Sequence, residues 1–168
     1  MGIIRGLLNK IKTKFWTHYA LRKVKQKGVN IKVNGPTYFT NKTVLGNNTH
    51  FNGFKVIGSG LCRIGDNFHS GSGCIVMTHY HNYESGSKIP YDNSYIVKDV
   101  EIGDNVWFGL NVIVLPGVKI GEGCVVQAGS VVVSDLPPLS IAGGHPAKVF
   151  KYRNEERYFD LKNEKKFF

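Results

Sequence analysis

A chain of 168 residues, 42% of them hydrophobic and 20% charged, is long enough to bury a core as a single soluble domain. Its formal charge of +10 is uneven: residues 1–65 carry 12 Lys/Arg and no Asp or Glu, while the remainder carries 10 against 12. That split predicts an anionic surface or ligand near the front of the chain. Three cysteines, Cys62, Cys74 and Cys124, cannot close a disulfide framework and fit a reducing cytoplasm.

The first predicted element is an amphipathic helix over residues 3–26, in which Ile4, Leu7, Leu8, Ile11, Phe15 and Tyr19 recur at helical spacing. Arg5, Lys10, Lys12, Lys14, Arg22, Lys23 and Lys25 fill much of the rest. Such a helix either packs its stripe on the scaffold or a neighbouring subunit, or lies on an anionic membrane. No nucleic-acid reader motif accompanies the basic residues, so nucleic acid is not expected as a partner. The basic residues also break any secretory hydrophobic run, and nothing reaches transmembrane length. The expected location is cytoplasmic, peripheral at the inner face of the membrane if the helix binds lipid.

From residue 28 the apolar residues fall on a six-residue beat: Phe39, Leu45, Phe51, Ile57, then after one extra residue Ile64, Ser70 and Val76. The beat returns at Ile96, Ile102, Phe108, Val114, Ile120, Val126 and Val132. Hexapeptide spacing reads as a parallel β-helix, in which three hexads close one coil and each coil stacks on its neighbours. Smaller residues four positions on (Thr43, Thr49, Cys74, Val106, Val112, Val118, Cys124 and Ser130) form a second inward set. Gly65-Asp66-Asn67, Gly103-Asp104-Asn105 and Gly121-Glu122-Gly123 mark turns. The domain is predicted over residues 28–151, followed by a charged helical tail over 152–168.

The regular scaffold breaks at Thr78-His79-Tyr80-His81, followed by a polar, aromatic loop over 82–95. Histidine titrates near neutrality and suits general base work. A His-x-His pair also suits a metal, but His50 and His69 form no obvious ligand pattern with it, so no metal is expected. The loop suits sugar recognition, and Glu84 and Asp92 are candidates to orient an imidazole or bind substrate. Cys74 and Cys124 fall on inward positions and are poor nucleophiles there.

The run Ile102-Gly103-Asp104-Asn105-Val106-Trp107-Phe108-Gly109 resembles the signature of the hexapeptide-repeat acyltransferases. The likeness continues through Leu115-Pro116-Gly117-Val118-Lys119-Ile120-Gly121 and Ala128-Gly129-Ser130-Val131-Val132. It closes at Pro137-Pro138, Ala142-Gly143-Gly144 and Pro146-Ala147-Lys148-Val149. It covers residues 29–151, is strongest over 96–151, and is greatest to the sugar O-acetyltransferases, such as the galactoside and maltose acetyltransferases. The resemblance implies a left-handed β-helix, a homotrimer with active sites between subunits, and acetyl-CoA as co-substrate with a saccharide acceptor. It places the catalytic base at His81 and gives His79 a substrate or orienting role. On the cofactor side it implies Trp107, Gly109, Leu110 and Ala128 beside the thioester and pantetheine, and Lys148 and Lys151 near the phosphates. Leu110 stands where a small residue is common, and His145 where Asn is frequent.

The expected function is therefore acetyl-CoA-dependent O-acetyl transfer to a sugar hydroxyl, in surface polysaccharide or glycolipid assembly. The alternatives are N-acetyl transfer to a nucleotide-linked amino sugar or an antibiotic, and a non-enzymatic β-helical scaffold.

Overall fold

The computed structural model describes the backbone of residues 2–168, with side chains in the first helix described at Gly6 and from Leu8 onward. Helix α1 (Gly2–Leu21) ends five residues before its expected limit. The solenoid captures the following chain: Lys25 N–H donates to Thr43 O at 2.9 Å, and Gln26–Lys27 pairs in parallel with Val44 and Leu45. The expected docking stripe is not the one used. Thr13 Oγ1 donates to Asn34 Oδ1, Thr17 Oγ1 accepts from Val33 N–H, and Ala20 is buried, with Trp16, Leu21 and Val24 packed beside it. Leu8, Ile11, Phe15 and Tyr19 face outward. The hydroxyl-bearing face docks because the first coil offers it polar partners, the open Val33 N–H for Thr17 and the Asn34 side chain for Thr13. Ile4 and Leu7 lie outside the described side chains.

The rest is a left-handed parallel β-helix of about six coils with three faces. The first face stacks Gln26–Lys27, Thr43–Leu45, Cys62–Ile64, Val100–Ile102 and Lys119–Ile120. The second stacks Lys32–Val33, His50–Phe51, His69–Ser70, Trp107–Phe108, Val125–Val126 and Ser140–Gly144, and ends on the antiparallel strand Ala147–Tyr152. The third stacks Phe54–Ile57, Cys74–Met77, Ile113–Val114 and Val131–Val132.

Inside, the beat becomes columns. Leu45, Ile64, Ile102, Ile120 and Leu136 fill the first face, Val33, Phe51, Ser70, Phe108, Val126 and Ala142 the second, and Val56, Val76, Val114 and Val132 the third; all are buried. Two expected members are absent. Ile57 is exposed and Val56 takes its slot, because the corner between Phe51 and Val56 is one residue short and the next corner is two residues long. Ile96 lies in a hairpin off the coil. The second inward set is buried as expected, and Cys62, at the insertion, joins it, its thiol pushed up to about 12 by burial. Burial likewise raises Cys74 and Cys124.

At the corner between the first and second faces, Asn30, Asn48, Asn67 and Asn105 adopt φ of 57, 54, 55 and 59°. Each donates its side-chain amide to the oxygen of the next, at 2.7, 2.9 and 2.9 Å along the series. Asparagine tolerates this left-handed backbone, and the ladder gives each side-chain amide a partner. The ladder ends on Tyr158 Oη at 2.8 Å, which latches helix α2 (Glu155–Asn163) to the coils.

Candidate active site

After Cys74–Met77 the chain does not turn the corner to the first face. Thr78 is buried, its hydroxyl accepting from Gly60 N–H at 3.1 Å and donating to Ile57 O at 3.2 Å. The excursion opens as strand His79–His81, paired antiparallel with Tyr95–Val97 so that His81 faces Tyr95 and His79 faces Val97. It closes where Lys98 N–H reaches Thr78 O and Asp99 accepts from Leu61 N–H at 2.8 Å.

Strand alternation puts His79, His81, Tyr95 and Val97 on one side of the hairpin and Tyr80 and Ile96 on the other. Tyr95 stacks on His79, with centroids 4.4 Å apart, and lies 4.5 Å from His81. Tyr91 stacks on His81 at 3.8 Å and 20°. Among the described residues neither nitrogen of His81 has a hydrogen-bond partner, and only Nδ1 is fully enclosed. Nε2 is thus the nitrogen that an incoming group can reach.

The two acidic candidates separate. Asp92 accepts from the backbone N–H and hydroxyl of both Ser87 and Ser94, which holds its carboxyl well below the usual range, Ser94 contributing most. Its oxygens staple the loop and do not orient the imidazole. Glu84 is exposed and enters no hydrogen bond or ion pair among the described residues. Tyr91 and Tyr95 are the residues sequence reading missed individually. The signal was the alternation on either side of the loop, which only the hairpin register turns into contacts.

On the cofactor side, Trp107 is 56% exposed on the second face and so is not a core tryptophan. Gly109 and Ala128 stack at the corner between the second and third faces, where a Cβ on Gly109 would lie 2.5 Å from Ala128 N. Glycine is therefore needed there for coil spacing alone. Leu110 and Ala128 are exposed at this corner. Gly109 N–H donates to Val126 O and Gly129 N–H to Leu110 O, whereas Ala128 N–H has no partner among the described residues.

Lys148 and Lys151 are three apart and in a regular strand would face opposite ways. A bulge between Ile141 and Ala142 shifts the register, so Lys148 lies opposite Gly143 and Lys151 opposite Ile141. Ala142 points inward, so both lysines share the outward side. The outward row Trp107, Val125, Ile141, Lys151 then runs along the solenoid axis toward its C-terminal end, spanning roughly 14 Å at the usual strand spacing.

One chain does not bring these two halves together. The histidine hairpin leaves from the corner between the third and first faces, and Gly109, Leu110 and Ala128 occupy the other edge of the third face. The intervening five residues of strand and turn span roughly 17 Å. No group of three or more His, Cys, Asp or Glu side chains suited to a metal occurs among the described residues.

Residues 99–134 match the family described as the hexapeptide repeat of succinyl-transferase. A protein of Staphylococcus aureus strain MRSA252, whose name assigns it provisionally to the acetyltransferases, is 56% identical over 57 residues. That match takes in 34% of this chain and only 29% of the relative. The structure of a maltose O-acetyltransferase from Clostridium difficile 630 is 31% identical, with a TM-score of 0.59 over 77% of this chain and 67% of that one. The hexapeptide-repeat acetyltransferase VCA0836 of Vibrio cholerae O1 biovar eltor, complexed with acetyl-coenzyme A, is 27% identical. Its TM-score is 0.74 over 83% of this chain and 76% of that one.

Proposed function

This chain belongs to the hexapeptide-repeat, left-handed β-helix acyltransferase family, and from that premise we propose that it transfers an acetyl group from acetyl-CoA to a saccharide hydroxyl. The observation that carries the reading is His81, packed against Tyr91 and Tyr95 on an excursion from an otherwise regular solenoid, with Nε2 unpaired and reachable. The likeness to an acetyl-CoA-bound relative supports the donor, and the likeness to a maltose O-acetyltransferase supports a sugar hydroxyl as acceptor.

Acetyl-CoA supplies an acyl group activated as a thioester. His81 Nε2 accepts the proton of the acceptor hydroxyl as its oxygen bonds to the carbonyl carbon. Ala128 N–H, unpartnered in the chain, donates to the carbonyl oxygen as it gains negative charge. His81 then returns the proton to sulfur as the C–S bond breaks. Lys148 and Lys151, on one face at the far end of the row from Trp107, suit the anionic phosphates of the same molecule. His79 and Glu84 are assigned to the acceptor.

The two halves of this site lie on opposite edges of the third face, so a complete site requires His81 of one subunit to meet the Ala128 corner of another. A homotrimer satisfies this with three equivalent clefts.

The test is acetyl-CoA-dependent thiol release against a panel of sugars and amino sugars, run on wild type and His81→Ala with an acceptor-free control. Acceptor-dependent release that collapses in the variant is the expected result. A variant matching wild type would move the base to His79, and turnover with amines alone would replace O-transfer by N-transfer. No release with any acceptor, together with no CoA binding, would overturn the enzymatic reading.

A further inference from the structure

Helix α1 carries an apolar face that the fold leaves mostly open, only Tyr19 reaching the first coil, edge-on to Tyr38 at 6.3 Å. Leu8, Ile11, Phe15 and Tyr19 are 59, 56, 60 and 42% exposed. At 100° per residue their mean direction lies roughly 145° from that of the docked residues Thr13, Trp16, Thr17 and Ala20. The two faces are therefore nearly back to back, and docking on the solenoid fixes the outward one in orientation. Among the described side chains, hydrogen bonds from the helix to the coils begin at Thr13, and every residue from Leu8 to Lys12 is exposed. This exposed stretch extends roughly 7 Å along the helix axis at 1.5 Å per residue. A short helix in water gains little from its own hydrogen bonds, so this segment suits a surface that covers its apolar side.

Charge identifies the surface. Lys12 flanks the stripe on one side and Lys14 on the other, Lys23 lies beside Tyr19 just past the end of the helix, and all three are exposed. No acidic residue occurs before Asp66. Pairing two such helices would bring these cations together with no counter-charge, whereas anionic headgroups complement them. Where the stripe meets the first coil, a cavity of about 420 Å³ is lined by Tyr19, Arg22, Lys23, Tyr38 and Phe39. Two cations beside aromatic rings suit a headgroup phosphate at the depth where Tyr side chains sit.

We propose that the outward face of α1 docks on an anionic lipid bilayer, with Leu8, Ile11, Phe15 and Tyr19 entering the interface and the flanking lysines meeting headgroups. No helix here is long and apolar enough to cross a membrane, so the contact is peripheral. The surface is independent of the acetyl-transfer site.

The test is cosedimentation of the full chain with vesicles of phosphatidylcholine alone and of phosphatidylcholine mixed with phosphatidylglycerol. Binding to the mixed vesicles that weakens with salt is expected. Phe15→Asp should weaken it roughly tenfold or more, the scale of losing one buried aromatic side chain. Lys12→Glu with Lys23→Glu should weaken it comparably at low salt, and these exposed lysines keep the test valid if Phe15→Asp perturbs folding. Circular dichroism checks the fold, and sedimentation velocity checks the assembly. Absence of binding to mixed vesicles, equal binding to phosphatidylcholine alone, or unchanged binding in folded variants would overturn the proposal. A drop in oligomeric state on Phe15→Asp would also overturn it, assigning the stripe to a second copy of the chain.

Discussion

His50 and His69 sit in register on neighbouring coils of the second face, their rings 4.3 Å apart, whereas His79 and His81 leave the coils on a hairpin and meet tyrosines. The first pair is covered by the ring of Phe168 and sits near Lys32. Burial, then His69, then Lys32 lower His50 to about 4, and burial, then Lys32, lower His69. Two bases held neutral by mutual proximity and partial burial are poor proton acceptors near neutrality. The second pair stacks instead on the rings of Tyr91 and Tyr95. Side-chain type and pairing are thus alike in both places, and departure from the solenoid is what sets the pair proposed for chemistry apart from the pair that packs.

The largest effect should come from exchanging the roles. His81→Ala is expected to lower kcat about 10²–10⁴-fold, the usual worth of a general base, with thermal stability nearly unchanged. His50→Ala should leave kcat within about twofold of wild type, since its ring touches only a packed face. Paired turnover and melting measurements check both, and a large loss of turnover in His50→Ala would erase the distinction. Next comes the clamp: Tyr95→Ala removes the ring shared by His79 and His81 and should cost about tenfold in kcat, while Tyr95→Phe, which keeps the stack, should cost little.

Why the hairpin had to be seen follows from the same residues. The hexad beat predicted the columns because each inward slot faces its equivalents one coil away, so a local period carries the long-range contact. It misassigned Ile57, where a short corner is followed by a long one, and Ile96, whose six-residue spacing to Ile102 falls in a hairpin off the coil. Trp107, Gly109 and Ala128 were placeable since they lie on the repeat. Asp92 was not, since an acidic residue with serines five positions before and two after it reads alike whether it meets imidazole or closes a turn. Of the roles open to the apolar stripe of α1, docking on the coils falls to another face, because Thr13 and Thr17 dock through hydroxyls, which an apolar period does not count. Lys148 and Lys151 share a face only through a bulge.

That bulge offers a finer contrast between binding and chemistry. Lys148→Ala and Lys151→Ala should each raise KM for acetyl-CoA about three- to tenfold, additively with each other and less at high salt, with kcat little changed. Initial-rate kinetics over a salt series measures this. A matched fall in kcat would instead tie the lysines to the reacting atoms.

The smallest effect sharpens the histidine comparison through stability. The folded value of His50, about 4, lies below the ordinary 6.5, so the unfolded chain takes up a proton that the folded chain refuses. Above about pH 6.5 both states are neutral and the packing is fully present. As pH falls from 6.5 toward 4 that stability is lost, and the lowered His69 acts in the same direction. His50→Gln removes the titration and should flatten the decline in unfolding free energy across this window, by on the order of 1 kcal/mol after allowing for solvent screening of a partly exposed ring. Asp92 and Glu122, whose carboxyls are also held low, lose their contributions only at lower pH as they protonate. A decline unchanged by His50→Gln and confined below pH 4 would therefore assign acid lability to the carboxylates, and the His50–His69 stack would contribute shape to the second face without setting its pH dependence.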